Sequence, residues 1–105
     1  IDVMISTVES DIQRNIMPIE LKCVPACDDN LRQINRYIDW IEQYYIPNRM
    51  SIIQPILICR PGGLDAALRQ KFHIFNNSAN GRYLPLKYIE YSIQGSNLVF
   101  SPKIY

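Results

Sequence analysis

Apolar and polar residues alternate along this chain in two different rhythms. Ile1, Val3 and Ile5 alternate with Asp2 and Met4, which predicts a short strand with rows on opposite faces. Val8 to Asn15 is polar and reads as a hairpin loop. Ile16 to Cys23 is the next strand, with Ile19 and Leu21 on one face and Pro18, Glu20 and Lys22 on the other. Pro18 has no N–H to give to a ladder, so an edge or a bulge is expected there.

The rhythm then changes. Leu31, Ile34, Ile38, Ile41 and Tyr45 recur at helical spacing, predicting a helix capped by Asp28 or Asp29 and running to about Ile46, before Pro47-Asn48. Ser51 to Cys59 is apolar almost throughout and predicts a strand covered on both faces. Pro61-Gly62-Gly63 is a turn, and Leu64 to about Phe75 a second helix with Leu64, Ala67, Leu68 and Phe72 on one face. Asn76 to Gly81 reads as a polar loop. Leu86 to Ile93 and Leu98 to Phe100 then form a hairpin about Gln94-Gly95-Ser96-Asn97. The order β-β-α-β-α-β-β argues for an α/β domain, a mixed sheet flanked by helices.

Composition narrows the function classes. The chain has 105 residues, 48% hydrophobic and 20% charged, which suits one small domain and excludes a disordered tail. No apolar run approaches the roughly 18 residues of a membrane-spanning helix, and no basic segment leads into an apolar one as in a signal peptide. The net charge of +1 offers no bulk basic field, so any nucleic-acid contact must rest on local placement. Cys23, Cys27 and Cys59 are sparse and poorly spaced for zinc, and read as reduced thiols of a cytoplasmic protein. The chain opens at Ile1 inside an apolar segment, so a fragment of a longer chain, or a processed one, is expected.

Candidate chemistry centres on Asp2 and on Glu20-Leu21-Lys22. Period two puts Glu20 and Lys22 on one face, roughly 6–7 Å apart along the strand. A hairpin can set Asp2 beside them. Two carboxylates suit Mg2+, a hard ion that takes oxygen ligands. The ammonium can orient an attacking water and offset phosphate charge, while a metal polarises the scissile phosphate. The competing reading is a solvated ion pair, which is common on strands.

These residues resemble the PD-(D/E)xK nuclease superfamily, whose core carries an Asp on a hairpin, then Glu-x-Lys, a helix and a further strand. The matching stretches are Ile1-Asp2-Val3-Met4-Ile5, Pro18-Ile19-Glu20-Leu21-Lys22, the helix with Gln33-Ile34-Asn35-Arg36-Tyr37-Ile38-Asp39-Trp40, and Ile52 to Cys59. Gln33-x-x-x-Tyr37 looks like the motif of the RecB-like branch. The helix is also similar to that of archaeal branched-DNA and mismatch endonucleases of the NucS kind, and of some restriction endonucleases.

The resemblance covers residues 1 to about 60. It implies a restriction-endonuclease-like core without its N-terminal helix and strand. It implies Asp2 and Glu20 as metal ligands with the Leu21 carbonyl, and Mg2+ (or Mn2+) as cofactor. Lys22 would serve the nucleophilic water, Gln33 would orient metal, water or phosphate, and Tyr37 would bond phosphate or brace the site.

The expected function is therefore metal-dependent endonucleolytic hydrolysis of DNA, of restriction or repair type, with a homodimer or an attached recognition domain. The alternative is an inactive nuclease-fold module that binds DNA or protein. Arg14 in the hairpin loop, and Arg32 and Arg36 after the helix cap, are candidate phosphate contacts. Trp40 and Tyr44 share the Gln33–Tyr37 face and could stack bases, although aromatics at helical spacing are more often core. His73 is the single histidine and reads as structural. Gly62-Gly63 lacks the spacing of a phosphate-binding loop.

Overall fold

Two long antiparallel strands, β1 (Val3–Ser10) and β2 (Gln13–Pro25), open the architecture. The computed structural model describes residues 3–10, 13–45, 51–62 and 64–105, and their side chains except those of residues 7–10, 13, 14 and 45. The predicted loop from Val8 to Asn15 is mostly strand: polar side chains suit a ladder at the border of a sheet, where backbone pairing and not burial holds the strand. Arg14 accordingly lies within β2, opposite Val8 and beside Ser51, and not in a loop.

α1 (Asp28–Trp40) follows, continued by one π-helical turn (Ile41–Tyr45). Neither aspartate caps it. Cys27 holds the N-cap position, its backbone N–H donating to Asn30 Oδ1 at 2.9 Å, while Asp28 and Asp29 occupy the first turn, where the helix dipole favours acids. Leu31, Ile34, Ile38 and Ile41 are buried as the spacing predicts. Tyr45, the last residue of that stripe, has its side chain outside the described residues.

The apolar run from Ser51 to Cys59 is divided at Gln54-Pro55 into β3 (Ser51–Ile53) and β4 (Ile56–Arg60). Both run parallel to β2, β3 beside residues 14–16 and β4 beside residues 19–21. Pro18 therefore sits neither at an edge nor at a bulge. It falls in the interval between β3 and β4, where its missing N–H forfeits no ladder bond to them. Gln54 pins the interval, its N–H donating to the Ile16 carbonyl at 2.8 Å and its side-chain amide to the carbonyls of Pro55 and Pro85.

α2 (Ala66–Asn77) is capped by Asp65, whose carboxylate accepts from the Leu68 N–H at 2.8 Å. It runs two residues past the expected Phe75. Asn76 is built in, accepting from the Leu86 N–H at 2.9 Å and donating to the Tyr105 hydroxyl at 2.6 Å. β5 (Lys87–Gln94) and β6 (Asn97–Lys103) form the predicted hairpin, with Gly95 at φ 65° supplying the left-handed residue of its two-residue turn.

The result is an α/β fold on one mixed sheet in the order β1-β2-β4-β5-β6, with β3 beside β2. Both helices pack on the same face. Ile16, Ile53, Leu57, Cys59 and Tyr88 point into them, and the Phe72 ring meets Tyr88 edge-on at 5.7 Å. The expectation that β4 is covered on both faces is not met among the described residues: Leu57 and Cys59 are fully buried, whereas Ile56 and Ile58, on the other face, remain half-buried. No helix among the described residues is long and apolar enough to cross a membrane.

Candidate active site

β2 sends Ile16, Pro18 and Glu20 into the helix-covered layer and turns Leu21 outward. Glu20 is thus a carboxylate at a core position, 1% exposed, within a run of apolar neighbours. Lys22, one period further, is partly exposed and brings its Nζ to 2.8 Å from Glu20 Oε1. The second oxygen, Oε2, is buried with no hydrogen-bond partner among the described residues. A buried carboxylate is costly, and buried polar atoms are nearly always satisfied, so Oε2 is the atom of this pair at which a cation or a further donor would be accommodated.

α1 contributes the next groups. At 3.6 residues per turn, Asp28, Arg32 and Asn35 fall on one side of the Leu31–Ile34–Ile38 stripe, and Gln33, Tyr37, Trp40 and Tyr44 on the other. The first set lines the cleft against α2, together with Lys71, Arg82 and Tyr83. α2 packs over β5, so the second set is turned toward the β1–β2 end of the sheet, the end that holds Glu20. Gln33 Oε1 is a second buried acceptor with no hydrogen-bond partner among the described residues. Tyr37 is half-buried. Trp40 and Tyr44 are not core residues: they are 47% and 69% exposed, with ring centroids 6.0 Å apart.

Glu20 and Lys22 are therefore brought into contact, and Gln33 and Tyr37 share one helix flank. The Leu21 carbonyl lies in the backbone between Glu20 and Lys22, its side chain on the opposite face. Asp2 lies outside the described residues; the ladder registers Val3 with Ile19, the residue before Glu20. Among the described residues no three His, Cys, Asp or Glu side chains cluster as a metal-binding group.

Neither Arg32 nor Arg36 turns toward the site. Arg32 pairs with Asp29 on the α2 side of α1, Arg36 is exposed away from both, and the Arg14 side chain is outside the described residues. His73 is exposed, with its ring 5.8 Å from that of Tyr105.

Two polar arrangements escaped the sequence pattern. Tyr88 donates to Glu90 Oε2 at 2.6 Å, beside the buried Cys59, and Lys103 lies 3.9 Å from the other Glu90 oxygen. Burial, then the bond to Glu90, pushes the Tyr88 hydroxyl far above its ordinary value, and burial also raises the Cys59 thiol. The alternation Tyr88-x-Glu90 was the available signal. Arg82 clamps Glu42 at 2.8 Å and Asp39 at 2.5 Å, tying the segment after α2 to the end of α1. Nothing in local sequence pairs residues about 40 apart.

No protein-family model matches this chain, and neither a curated protein nor a solved structure matches it.

Proposed function

We propose that the chain is a metal-dependent DNA endonuclease domain with a restriction-endonuclease-like core. It would hydrolyse phosphodiester bonds by attack of an activated water. The observation that carries this reading is the Glu20 carboxylate, buried on the helix side of β2, with one oxygen held by Lys22 and the other unmet.

The donor chemistry fits Mg2+. Glu20 Oε2 and Gln33 Oε1 are both hard oxygen acceptors in need of a positive partner. Glu20, the Leu21 carbonyl and Asp2 would hold the ion, and Gln33 would orient it or a water beside it. When bound, the ion supplies Lewis acidity and a water of lowered pKa. Lys22 fixes the carboxylate, balances its charge and places an ammonium where an attacking water and a phosphate oxygen need one. Tyr37 braces the phosphate from the same helix flank as Gln33. Duplex or branched DNA is the partner, inside the cell. Double-strand cleavage needs two sites, so a homodimer or an attached recognition domain accompanies the activity.

The test uses supercoiled plasmid and nicked, forked and mismatched duplexes with Mg2+, Mn2+ or chelator. Metal-dependent cleavage is expected, lowered by more than about 100-fold in Glu20→Gln and in Lys22→Ala with helix and sheet content retained. If both variants cut as well as the parent, the assignment is wrong. DNA binding with no cleavage under any metal leaves the binding module as the function.

A further inference from the structure

Among the described residues, the helices leave one face of the sheet bare. The molecule spans 43 × 33 × 20 Å, and layers stack about 10 Å apart, so its short axis accommodates one sheet and one helix layer. Among the described side chains the bare face is largely apolar. Ile5 on β1, Leu21 on β2, Ile93 on β5, and Leu98 and Phe100 on β6 are 42–63% exposed. The registers make the face continuous: Val3 beside Ile19, Ile19 beside Ile56, Ile58 beside Ile89, Tyr91 beside Phe100. Parallel strands such as β2, β4 and β5 are ordinarily covered on both sides, and an exposed apolar surface of this continuity marks an interaction site.

The charges on this face say what covers it. Its charged side chains, among those described, are Arg60 and Lys87, both exposed and cationic. The Arg60 guanidinium lies 5.9 Å over the Tyr91 ring at one end of the face, and Lys87 sits beside Ile56 at the other. Glu20 and Glu90 belong to the opposite face, so no described strand carboxylate shares this one. We propose that the bare face docks an amphipathic α-helix from another polypeptide, with Asp or Glu along the margins of its apolar stripe to meet Arg60 and Lys87. The opposite side already shows how this sheet receives helices. A second copy of the chain fits poorly, since face-to-face pairing sets cations against cations and supplies no carboxylate. The proposal stands apart from the nuclease reading: the residue common to both, Leu21, lends its side chain to this face, whereas the nuclease reading uses its backbone carbonyl.

The probes are two synthetic helical peptides of about 18 residues, roughly 27 Å long, with the same Leu/Ile stripe and either Glu or Lys at its margins. Binding is read by anisotropy of the labelled peptide and by chemical-shift changes at Ile58, Ile89 and Phe100. The Glu peptide is expected to bind about tenfold more tightly than the Lys peptide, with that order reversed for the Arg60→Glu/Lys87→Glu double variant. Both substitutions are at exposed positions, and circular dichroism checks the fold; the single reversals serve if the double variant unfolds. Equal binding of the two peptides, or binding of neither, overturns the proposal. So does a concentration-dependent homodimer that buries Ile58, or capture of the chain by phosphatidylserine vesicles in place of the Glu peptide.

Discussion

The Lys22 ammonium sits 2.8 Å from a Glu20 carboxylate that has left solvent almost completely, on a strand position where Ile16 and Pro18 precede it in the core. Removing one partner leaves a buried charge, whereas removing both leaves an apolar site. Lys22→Met is expected to destabilise the fold by about 2–3 kcal/mol, less than for a fully buried pair because Lys22 is partly exposed. Adding Glu20→Leu should recover most of that loss, with no recovery of DNA cleavage. Urea unfolding of the parent and the two variants measures it. If the double variant cuts DNA, Glu20 serves structure only.

Trp40 is the sole tryptophan of the chain and lies exposed on the Gln33–Tyr37 flank. Its emission should therefore change when a forked duplex is added in the presence of chelator, where no cleavage occurs. Trp40→Ala is expected to weaken that binding by about tenfold, as loss of one stacked base does, without lowering stability. Anisotropy of labelled DNA gives the affinity. Unchanged emission at saturating DNA places the DNA elsewhere.

Alkaline stability follows from the buried acids. Burial raises the folded-state pKa of Tyr88 above its ordinary 10.0 and that of Cys59 above 9.0; Tyr83 and Tyr105 shift the same way. A raised folded value means the unfolded chain releases these protons first. The stability they contribute is complete below the unfolded values and is lost as pH rises through the folded ones. Denaturant midpoints should hold near neutrality and fall from about pH 9 upward. Tyr88→Phe should cost about 1 kcal/mol at neutral pH, through the lost bond to Glu90, and make the alkaline fall shallower.

Arg82 is the link between α1 and the segment that follows α2. Its bonds to Glu42 and Asp39 keep it protonated at all accessible pH, the Glu42 contact contributing most. Arg82→Ala is expected to lower stability by about 1 kcal/mol at low ionic strength and by less at high salt, since the three side chains are partly exposed. Lys at this position should restore little, because it cannot fork to two carboxylates. Thermal unfolding at two salt concentrations provides the comparison.

The amphipathic stripe of α1, the β5–β6 hairpin and the Glu20/Lys22 face of β2 were legible because each depends on neighbours a few residues away. The misreadings have a common physical origin. Ser10, Gln13, Arg14 and Asn15 pair as strand because a partner strand satisfies their backbone. The apolar run from Ser51 to Cys59 breaks at Gln54-Pro55 because Gln54 bonds groups as distant as Pro85. Cys27 displaces the aspartates as cap because Asn30 reaches back to its N–H.

Sequence alone determined which residues share a face, through the fixed periods of helix and strand, and so it determined that Glu20 would accompany Lys22 and that Gln33 would accompany Tyr37. Which face is covered was decided only in three dimensions. The side of β2 bearing a carboxylate and an ammonium went under the helices, while a row of isoleucines stayed bare. Burial is set by what the rest of the chain lays against a surface, and the period of a strand carries no information about that.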